Sequence, residues 1–302
     1  MEYSFFAFVF EQKGRHFGMK KTVIGIDVGG TTTKIVGFQK PDGEKPQIIA
    51  PQFVKATDPL TSVYGAFGKF TSQNGLELAD IDRILVTGAG SSFLTKPIYD
   101  LNCKTVPEFT CIGVGGLWLS GLNDAIVVSL GTGTALIHAR YDGKKPVTEY
   151  LGGTGMGGGT LVGLCRKLLG VDNIEHIEQL AKDGDLANID LRIKDISRSH
   201  LYDGINENLT AANFGNVSDL ATPADMALGV ANMIAETVAM LSIFAARANN
   251  IRDIVLTGNL TSIVPIQNAF TNLSESFGVN FHIPDNAQFG TVIGAALSEM
   301  ND

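Results

Sequence analysis

The first segment able to do chemistry combines an acid, two glycines and a run of threonines at the end of a predicted buried strand. Its residues are Asp27-Val28-Gly29-Gly30-Thr31-Thr32-Thr33-Lys34. The glycines allow the backbone to approach a ligand closely, and successive N–H groups can form a nest for an anion. The carboxylate of Asp27 is suited to hold Mg²⁺, usually through water. A tight hairpin with a solvated aspartate explains the same residues.

Two common phosphate-binding motifs do not fit this segment. A Walker A loop is excluded because its Gly-Lys-Ser/Thr spacing is absent. The dinucleotide fingerprint is excluded because a second strand, predicted over residues 34–38, follows the glycines where that motif requires a helix. The segment is therefore predicted to be a β-hairpin turn that can bind an anion through its backbone.

Similar glycine-rich turns follow two later predicted strands. Residues 129–134 offer small backbone and hydroxyl donors through Gly131, Thr132 and Gly133. A third turn contains Gly258 and Asn259, and a glycine- and alanine-rich segment at 290–296 comes after it. Small residues of this kind allow a backbone or a planar base to approach closely. Taken singly, a plain hairpin or simple helix packing explains each of them.

Glu108 is the acid whose position is most suggestive of catalysis. It follows Pro107 and begins a helix predicted over residues 108–119. A carboxylate next to an attacking hydroxyl can orient it and accept its proton, whereas phosphoryl transfer otherwise depends on positioning and charge stabilisation. An acid in the first turn of a helix is also a favourable partner for the helix dipole. Both interpretations of Glu108 remain open from the residues alone.

Strands alternate with helices along the chain, which predicts the α/β class. A strand, a glycine- and threonine-rich hairpin and a second strand occur near residue 27 and again near residue 130, so we expect a weak internal repeat. We expect an N-terminal extension (1–18), a first domain (19–120) and a second domain (121–302). The predicted strands are 22–27, 34–38, 47–54, 83–87, 125–129, 135–140, 251–257 and 280–283. The predicted helices are 59–72, 108–119, 160–169, 174–182, 223–249, 264–277 and 290–300.

Composition narrows the classes of function. The 302 residues are 44% apolar and 18% charged, which is typical of a globular protein with ample core. A net charge of −8 argues against a basic surface for nucleic acid. The three cysteines favour a reducing compartment over a disulfide framework. The sequence shows no run of about 18 apolar residues and no secretory signal pattern. We therefore expect a cytoplasmic protein that binds neither nucleic acid nor membrane.

Together, the glycine-rich segments stand in the order found in the superfamily of actin, sugar kinases and heat-shock ATPases. Within it, residues 21–298 resemble the type II pantothenate kinases. The resemblance rests on 27–31, Glu108-Phe109, 129–134, 152–160, 182–185 and 209–216. The most diagnostic parts are the Gly-Gly-Gly-Thr cluster at 157–160 and the Thr-Ala-Ala-Asn-Phe-Gly segment at 210–215.

This resemblance implies a two-domain actin-like ATPase (ribonuclease H-like) fold that uses ATP and Mg²⁺ to phosphorylate pantothenate in coenzyme A biosynthesis. Glu108 would be the general base, and Thr132 would contact the pantoyl part of the substrate. It also implies a homodimer, for which the helix over 223–249 is a candidate interface. The nucleotide-binding residues would be Asp27, Gly29, Gly30, Thr31, Thr32, Lys34, Gly131, Thr132, Gly133, Gly258 and Asn259, with Gly157, Gly158 and Gly159 placing helix N–H groups at the phosphates.

One position departs from the family pattern. The family places an arginine shortly before the glycine-rich cluster, where it pairs with the pantothenate carboxylate, and Tyr150 occupies that position here. A charge-assisted pair of this kind contributes about 1.5–3 kcal/mol. Either another cation replaces it or the substrate has a different end group, and pantetheine is one candidate.

Two further classes of function remain. A kinase of the same fold could act on another alcohol, such as an amino sugar or pantetheine. A non-catalytic module that binds ATP or coenzyme A, or an ATPase activator of a dehydratase, could share the fold. Such activators need cysteines that ligate an iron–sulfur cluster, and no two of Cys103, Cys111 and Cys165 show a Cys-x-x-Cys spacing.

Overall fold

The computed structural model describes residues 21–30, 32–39, 46–55, 58–196 and 206–300. The extension expected over residues 1–18 lies outside the described residues, as does Thr31 of the first glycine-rich segment. The described chain contains two five-stranded sheets and one two-stranded sheet.

The first sheet has the order β3-β2-β1-β4-β5. Its central strand, β1, is buried along its whole length, because β2 and β4 pair with its two edges and a hydrophobic core packs on each face of the sheet. β1 runs antiparallel to β2 and parallel to β4, and the β1–β2 register places Asp27 opposite Lys34. The strands are β1 (Thr22–Val28), β2 (Thr33–Gln39), β3 (Gln47–Val54), β4 (Ile81–Thr87) and β5 (Cys103–Thr105).

The second large sheet repeats the same topology, with the order β8-β7-β6-β11-β12. A meander of three antiparallel strands is followed by two strands added parallel to its first strand. The internal repeat expected from the two Gly/Thr hairpins is therefore confirmed as a repeat of whole sheets. The strands are β6 (Asp124–Leu130), β7 (Thr134–Asp142), β8 (Lys145–Thr154), β11 (Asp253–Thr257) and β12 (Asn280–His282); β9 (Leu191–Arg192) and β10 (Thr210–Ala212) form the small sheet.

The helices begin and end close to the predicted residues, and local chemistry accounts for several boundaries. Asp58 caps the first helix by accepting from the Thr61 N–H, and Gly75 ends it in the left-handed conformation. Thr222 and Asp225 form a capping box at the start of α6, where Pro223 needs no partner for a missing N–H. The helices are α1 (Pro59–Asn74), α2 (Glu108–Ser120), α3 (Gly158–Leu169), α4 (Ile174–Lys182), α5 (Ile193–Ile196), α6 (Pro223–Ala248), α7 (Val264–Phe277) and α8 (Gly290–Leu297).

Helix α6 is the longest helix of the described chain and lies in the second core. It packs with α3, α4 and α7 against the second sheet. By length and composition α6 could cross a membrane, but 61% of its most apolar window is buried inside the protein. A core helix of a globular domain has the same features, so its hydropathy is explained by packing.

The two large sheets are joined through helices α2 and α8, which touch backbone to backbone. A Cβ added to Gly115 on α2 would overlap the carbonyl oxygen of Gly290, and one added to Gly294 would overlap that of Cys111. A Cβ at Gly25 on β1 would overlap the Val292 carbonyl oxygen on α8. On its other side, α2 packs so closely on β6 that a Cβ added to Gly116 would overlap the side chain of Val127. The layers therefore run first sheet, α8, α2, second sheet.

This arrangement differs from the expected division of the chain at residue 120. The second sheet does begin just after α2, at Asp124. Helix α8, however, packs on β1, β2 and β4 of the first sheet, although the sequence boundary assigned it to the second domain. Arg83 and Lys104 of the first sheet also form ion pairs with Glu299, just beyond α8. The chain thus returns to the first sheet at its end, a contact that linear order does not reveal.

We expect Gly115→Ala to lower the midpoint of thermal unfolding by about 2–5 °C, because overpacking a core costs roughly 1–3 kcal/mol. The measurement is a thermal melt followed by circular dichroism. Gly65→Ala is the matched control, since Gly65 is an exposed helical glycine with open space at its Cβ. The control should melt at or slightly above the wild-type midpoint. A Gly115→Ala protein as stable as the control would contradict this account of the α2–α8 contact.

Candidate active site

A cavity of about 670 Å³ lies between the two sheets. Its walls come from the β1–β2 hairpin, the β6–β7 hairpin, the start of α2, the end of β8 and the turn after β11. A Cβ added to Gly30 would lie 3.8 Å from Thr132 Oγ1, so the two hairpins nearly touch across it. Of the predicted site residues, those on the cavity wall are Asp27, Gly29, Gly30, Thr32, Lys34, Glu108, Gly131, Thr132, Gly133, Tyr150, Gly258 and Asn259.

Asp27 and Lys34 face each other across the first hairpin and are both buried. Burial raises the pKa of the Asp27 carboxyl, and the nearby Lys34 ammonium partly lowers it again. Burial likewise lowers the pKa of Lys34, and Asp27 opposes this change. Lys34 Nζ also donates to the carbonyl oxygen of Gln288, in the loop before α8. The hairpin thus presents an acid whose charge is only partly balanced by its own lysine.

Glycine is required next to Asp27 on the neighbouring strand. Gly88 ends β4 with φ of 87°, and a Cβ there would lie 2.5 Å from Asp27 Oδ1 and from the Val28 carbonyl oxygen. The neighbouring Ala89 lines the cavity. The sequence predicted only that a strand ends at residue 87, so the packing of Gly88 against the acid was missed.

Glu108 begins α2 and lines the cavity. The surrounding protein partly desolvates its carboxyl, and the negative charge of Asp27 adds to this effect. Both raise the pKa of Glu108 above its ordinary value. A carboxylate with a raised pKa in a cleft is a stronger base than a solvated one and is a candidate proton acceptor.

The second hairpin is held by a backbone hydrogen bond within its turn and by a side-chain hydrogen bond to the segment after β8. Gly131 N–H donates to the Gly133 carbonyl at 2.9 Å, and Thr134 Oγ1 donates to the Met156 carbonyl at 2.7 Å. Gly258 closes the turn after β11 with φ of 94° and donates to the Ala287 carbonyl at 3.0 Å. Glycine is needed there because a Cβ would meet the backbone of Leu130.

The structure gives Gly157, Gly158 and Gly159 a role different from the expected one. These residues do not line the cavity. The N–H groups of Gly158 and Gly159 donate to the carbonyl oxygens of Gly131 and Thr132, each at 2.8 Å. Since the amides of Gly158 and Gly159 already have these partners, they support the second hairpin from behind. A Cβ on Gly157 would lie 2.6 Å from the Thr132 carbonyl oxygen, which explains the small residue.

Tyr150, at the position of the family arginine, lines the cavity together with Phe109. Their rings stack with centroids 4.1 Å apart and planes 5° from parallel. Both side chains line the cavity and are substantially exposed. The register of β8 shifts between the pairs Leu136–Gly152 and Ile137–Tyr150, a bulge that redirects the side chains near it. No sequence signal identified Phe109 as a wall of the site.

We compared the chain with known protein families, with curated proteins and with solved structures. The family model described as Fumble matches residues 120–283. A type II pantothenate kinase from Bacillus cereus is 30% identical over 269 residues, which are 85% of this chain and 90% of that protein. A type II pantothenate kinase from Oceanobacillus iheyensis is 32% identical over 70% of this chain and 80% of its own length.

The chain belongs to the type II pantothenate kinase family. Among solved structures, the activator of 2-hydroxyisocaproyl-CoA dehydratase from Clostridium difficile with bound ADPNP has a TM-score of 0.61 and 18% identity. That match covers 91% of this chain and 93% of the activator. At this identity the likeness concerns the fold alone, which is the two-domain actin-like ATPase fold expected from the sequence.

For this pantothenate kinase family member, we expect Gly157→Ala to weaken binding of a non-hydrolysable ATP analogue at least about tenfold. The added methyl would push the second hairpin forward, because its nearest neighbours are backbone atoms of Thr132 and Gly133. Calorimetric titration measures the dissociation constant. Gly163→Ala, on an exposed face of the same helix with open space at its Cβ, serves as the control. Equal affinity in the two variants would show that the hairpin position does not matter for the nucleotide.

Proposed function

We propose that this chain transfers the γ-phosphoryl group of ATP to the primary hydroxyl of pantothenate, giving ADP and 4′-phosphopantothenate in the first step of coenzyme A biosynthesis. The observation that carries this proposal is a cavity lined by two glycine-rich hairpins, one from each sheet. Asp27 of the first hairpin and Glu108 of α2 line the same cavity. The family membership and the names of the relatives support the choice of acceptor. The ADPNP in the dehydratase activator supports a nucleotide in this fold.

In this proposal the two hairpins hold the phosphates of ATP. Gly29, Gly30 and Thr32 offer backbone and hydroxyl donors on one side, and Gly131, Thr132 and Gly133 offer them on the other. Thr31 belongs to the same predicted nest. The adenosine lies at the Gly258–Asn259 turn, which lines the same cavity. ATP supplies the activated phosphoryl group, and the protein supplies position and charge.

Asp27 is the residue suited to Mg²⁺. Its carboxylate lines the cavity beside the first hairpin, and hard oxygen ligands of this kind bind Mg²⁺ directly or through water. The raised pKa of Asp27 indicates that its charge is under-compensated by Lys34 alone. A cation at this point would complete the neutralisation, so the donor chemistry fits the metal.

In this proposal Glu108 is the general base for the acceptor hydroxyl. Its carboxylate enters the cavity at the start of α2, with Phe109 and Ile112 of the same helix lining the wall beside it. It orients the hydroxyl and takes its proton as the new P–O bond forms and the bond to ADP breaks. The proposal assigns to Thr132, which lines the cavity on the second hairpin, a contact with the pantoyl part of the acceptor.

The likeness to a dehydratase activator does not extend to the cysteines. Cys111 is buried in the core between α2, α8 and the first sheet, and Cys165 is buried in the second core. Burial raises the pKa of Cys111 to about 12 and that of Cys165 to about 11. Ligation of an iron–sulfur cluster requires thiolates. The two buried thiols are therefore structural, which favours the kinase proposal.

The proposal includes a cytoplasmic homodimer. Helix α6 presents Leu241 and Phe244 at the surface, with 38% and 55% of their area exposed, on the side away from the second core. An apolar strip on the longest helix offers a surface for a second copy. The proposed substrates are small metabolites of the cytosol, so the proposal places the protein in the cytoplasm.

We expect Glu108→Gln to reduce kcat by about 10²–10⁴-fold, because glutamine keeps the shape of the side chain but cannot accept a proton. A coupled assay of pantothenate-dependent ADP release measures turnover. Affinity for a non-hydrolysable ATP analogue should stay within about twofold of wild type, since Glu108 is not part of either hairpin. Turnover like that of wild type would remove Glu108 from the role of base.

The pH dependence provides a separate test. Because the pKa of Glu108 is raised above 4.5, its base form is lost as pH falls through a midpoint above that value. We expect kcat/KM for pantothenate to decline on this acid limb, while protein stability over the same range is followed by circular dichroism. The Glu108→Gln variant should lack the limb. A limb that persists unchanged in the variant would assign it to another group, of which Asp27 is the nearest acid.

A further inference from the structure

The part of the cavity next to the base is aromatic. Phe109 follows Glu108 directly in α2, and its ring lies flat against Tyr150 of β8. An acceptor whose hydroxyl reaches Glu108 therefore has its remaining atoms beside this stacked pair. The exposed ring surface, 41% of Phe109 and 49% of Tyr150, offers apolar and amide-stacking contact.

The charges that line the cavity disfavour an anionic acceptor. Among the described residues of its wall, Asp27 and Glu108 are acids and Lys34 is the only Lys or Arg. Lys34 is buried at the first hairpin, where it faces Asp27 and donates to the Gln288 carbonyl. Lys34 is therefore held at the first hairpin, the end of the cavity where the phosphates of ATP are proposed to bind. A carboxylate on the acceptor would enter a site that already holds an excess of acid and the anionic ATP.

On the basis of the function proposed above, we propose that the Phe109–Tyr150 stack is a specificity-determining surface that selects acceptors with an uncharged tail. The preferred class is amides of pantothenate, including pantetheine, which carry the same primary hydroxyl but no terminal carboxylate. The chemistry is unchanged: the hydroxyl oxygen bonds to the γ-phosphorus, its proton passes to Glu108, and ADP leaves. Pantothenate itself is the slower member of the acceptor class.

The test compares kcat/KM for pantothenate, pantetheine and an N-alkyl amide of pantothenate in one ADP-release assay. The N-alkyl amide separates the effect of charge from that of the thiol. We expect both amides to exceed pantothenate by about tenfold or more, the size of one missing charge-assisted pair. Because the ratio is taken within one protein preparation, differences in folded fraction cancel.

A variant then tests the stack directly. Tyr150→Arg places a cation beside the base and should raise kcat/KM for pantothenate relative to the amides by about tenfold or more. Val147→Arg, an exposed position on the same strand outside the cavity wall, is the control and should leave the ratio unchanged.

The outcomes are separable. A wild-type preference for the amides that Tyr150→Arg reverses and Val147→Arg leaves alone supports the inference. A wild-type preference for pantothenate, or a ratio that Tyr150→Arg does not move, overturns it and leaves the proposed kinase activity standing. Binding of magnesium ATP without phosphorylation of any of the three acceptors overturns the proposed function itself.

Discussion

The backbone contact between α2 and α8 is the constraint on which the rest of the molecule depends. At Gly115, Gly290 and Gly294 the two helices approach more closely than any side chain would permit. Because α8 lies on the first sheet and α2 on the second, this contact fixes the separation of the sheets. The cavity exists between them only because that separation is held, and Glu108 enters it because it begins the helix that makes the contact.

The same arrangement accounts for the electrostatics of the site. Strand β1 is buried along its length, so the acid at its end is poorly solvated, and the pKa of Asp27 rises. Hairpin pairing then places Lys34 opposite Asp27, where its ammonium partly lowers that pKa again. Glu108 lies at the start of α2, and the negative charge of Asp27 contributes to raising its pKa as well. The site is therefore a shared property of both halves of the repeat.

Much of the architecture was predictable from local pattern. Buried strands followed by glycine turns indicated two hairpins, and the structure confirms them as equivalent parts of two sheets with the same strand order. Helices with clear start signals, such as the Thr222–Pro223–Asp225 segment, began where predicted. The role of Gly157, Gly158 and Gly159 was not predictable, because a glycine cluster before a helix looks the same whether its amides face a ligand or a neighbouring turn. Only the distances to Gly131 and Thr132 distinguish the two.

By itself, the sequence determined the α/β class, the paired hairpins, the acid at the end of β1 and the acid at the start of α2, because periodicity and turn chemistry act over a few residues. The order of the glycine-rich segments indicated the superfamily, and the family was implied by the resemblance of segments such as 157–160 and 210–215 to the type II pantothenate kinases. Tertiary structure alone decided that α8 joins the first sheet, that Gly88 packs against Asp27, and that Phe109 stacks on Tyr150. These contacts join residues tens to hundreds of positions apart, and their partners are chosen by how the layers pack, which no local pattern records.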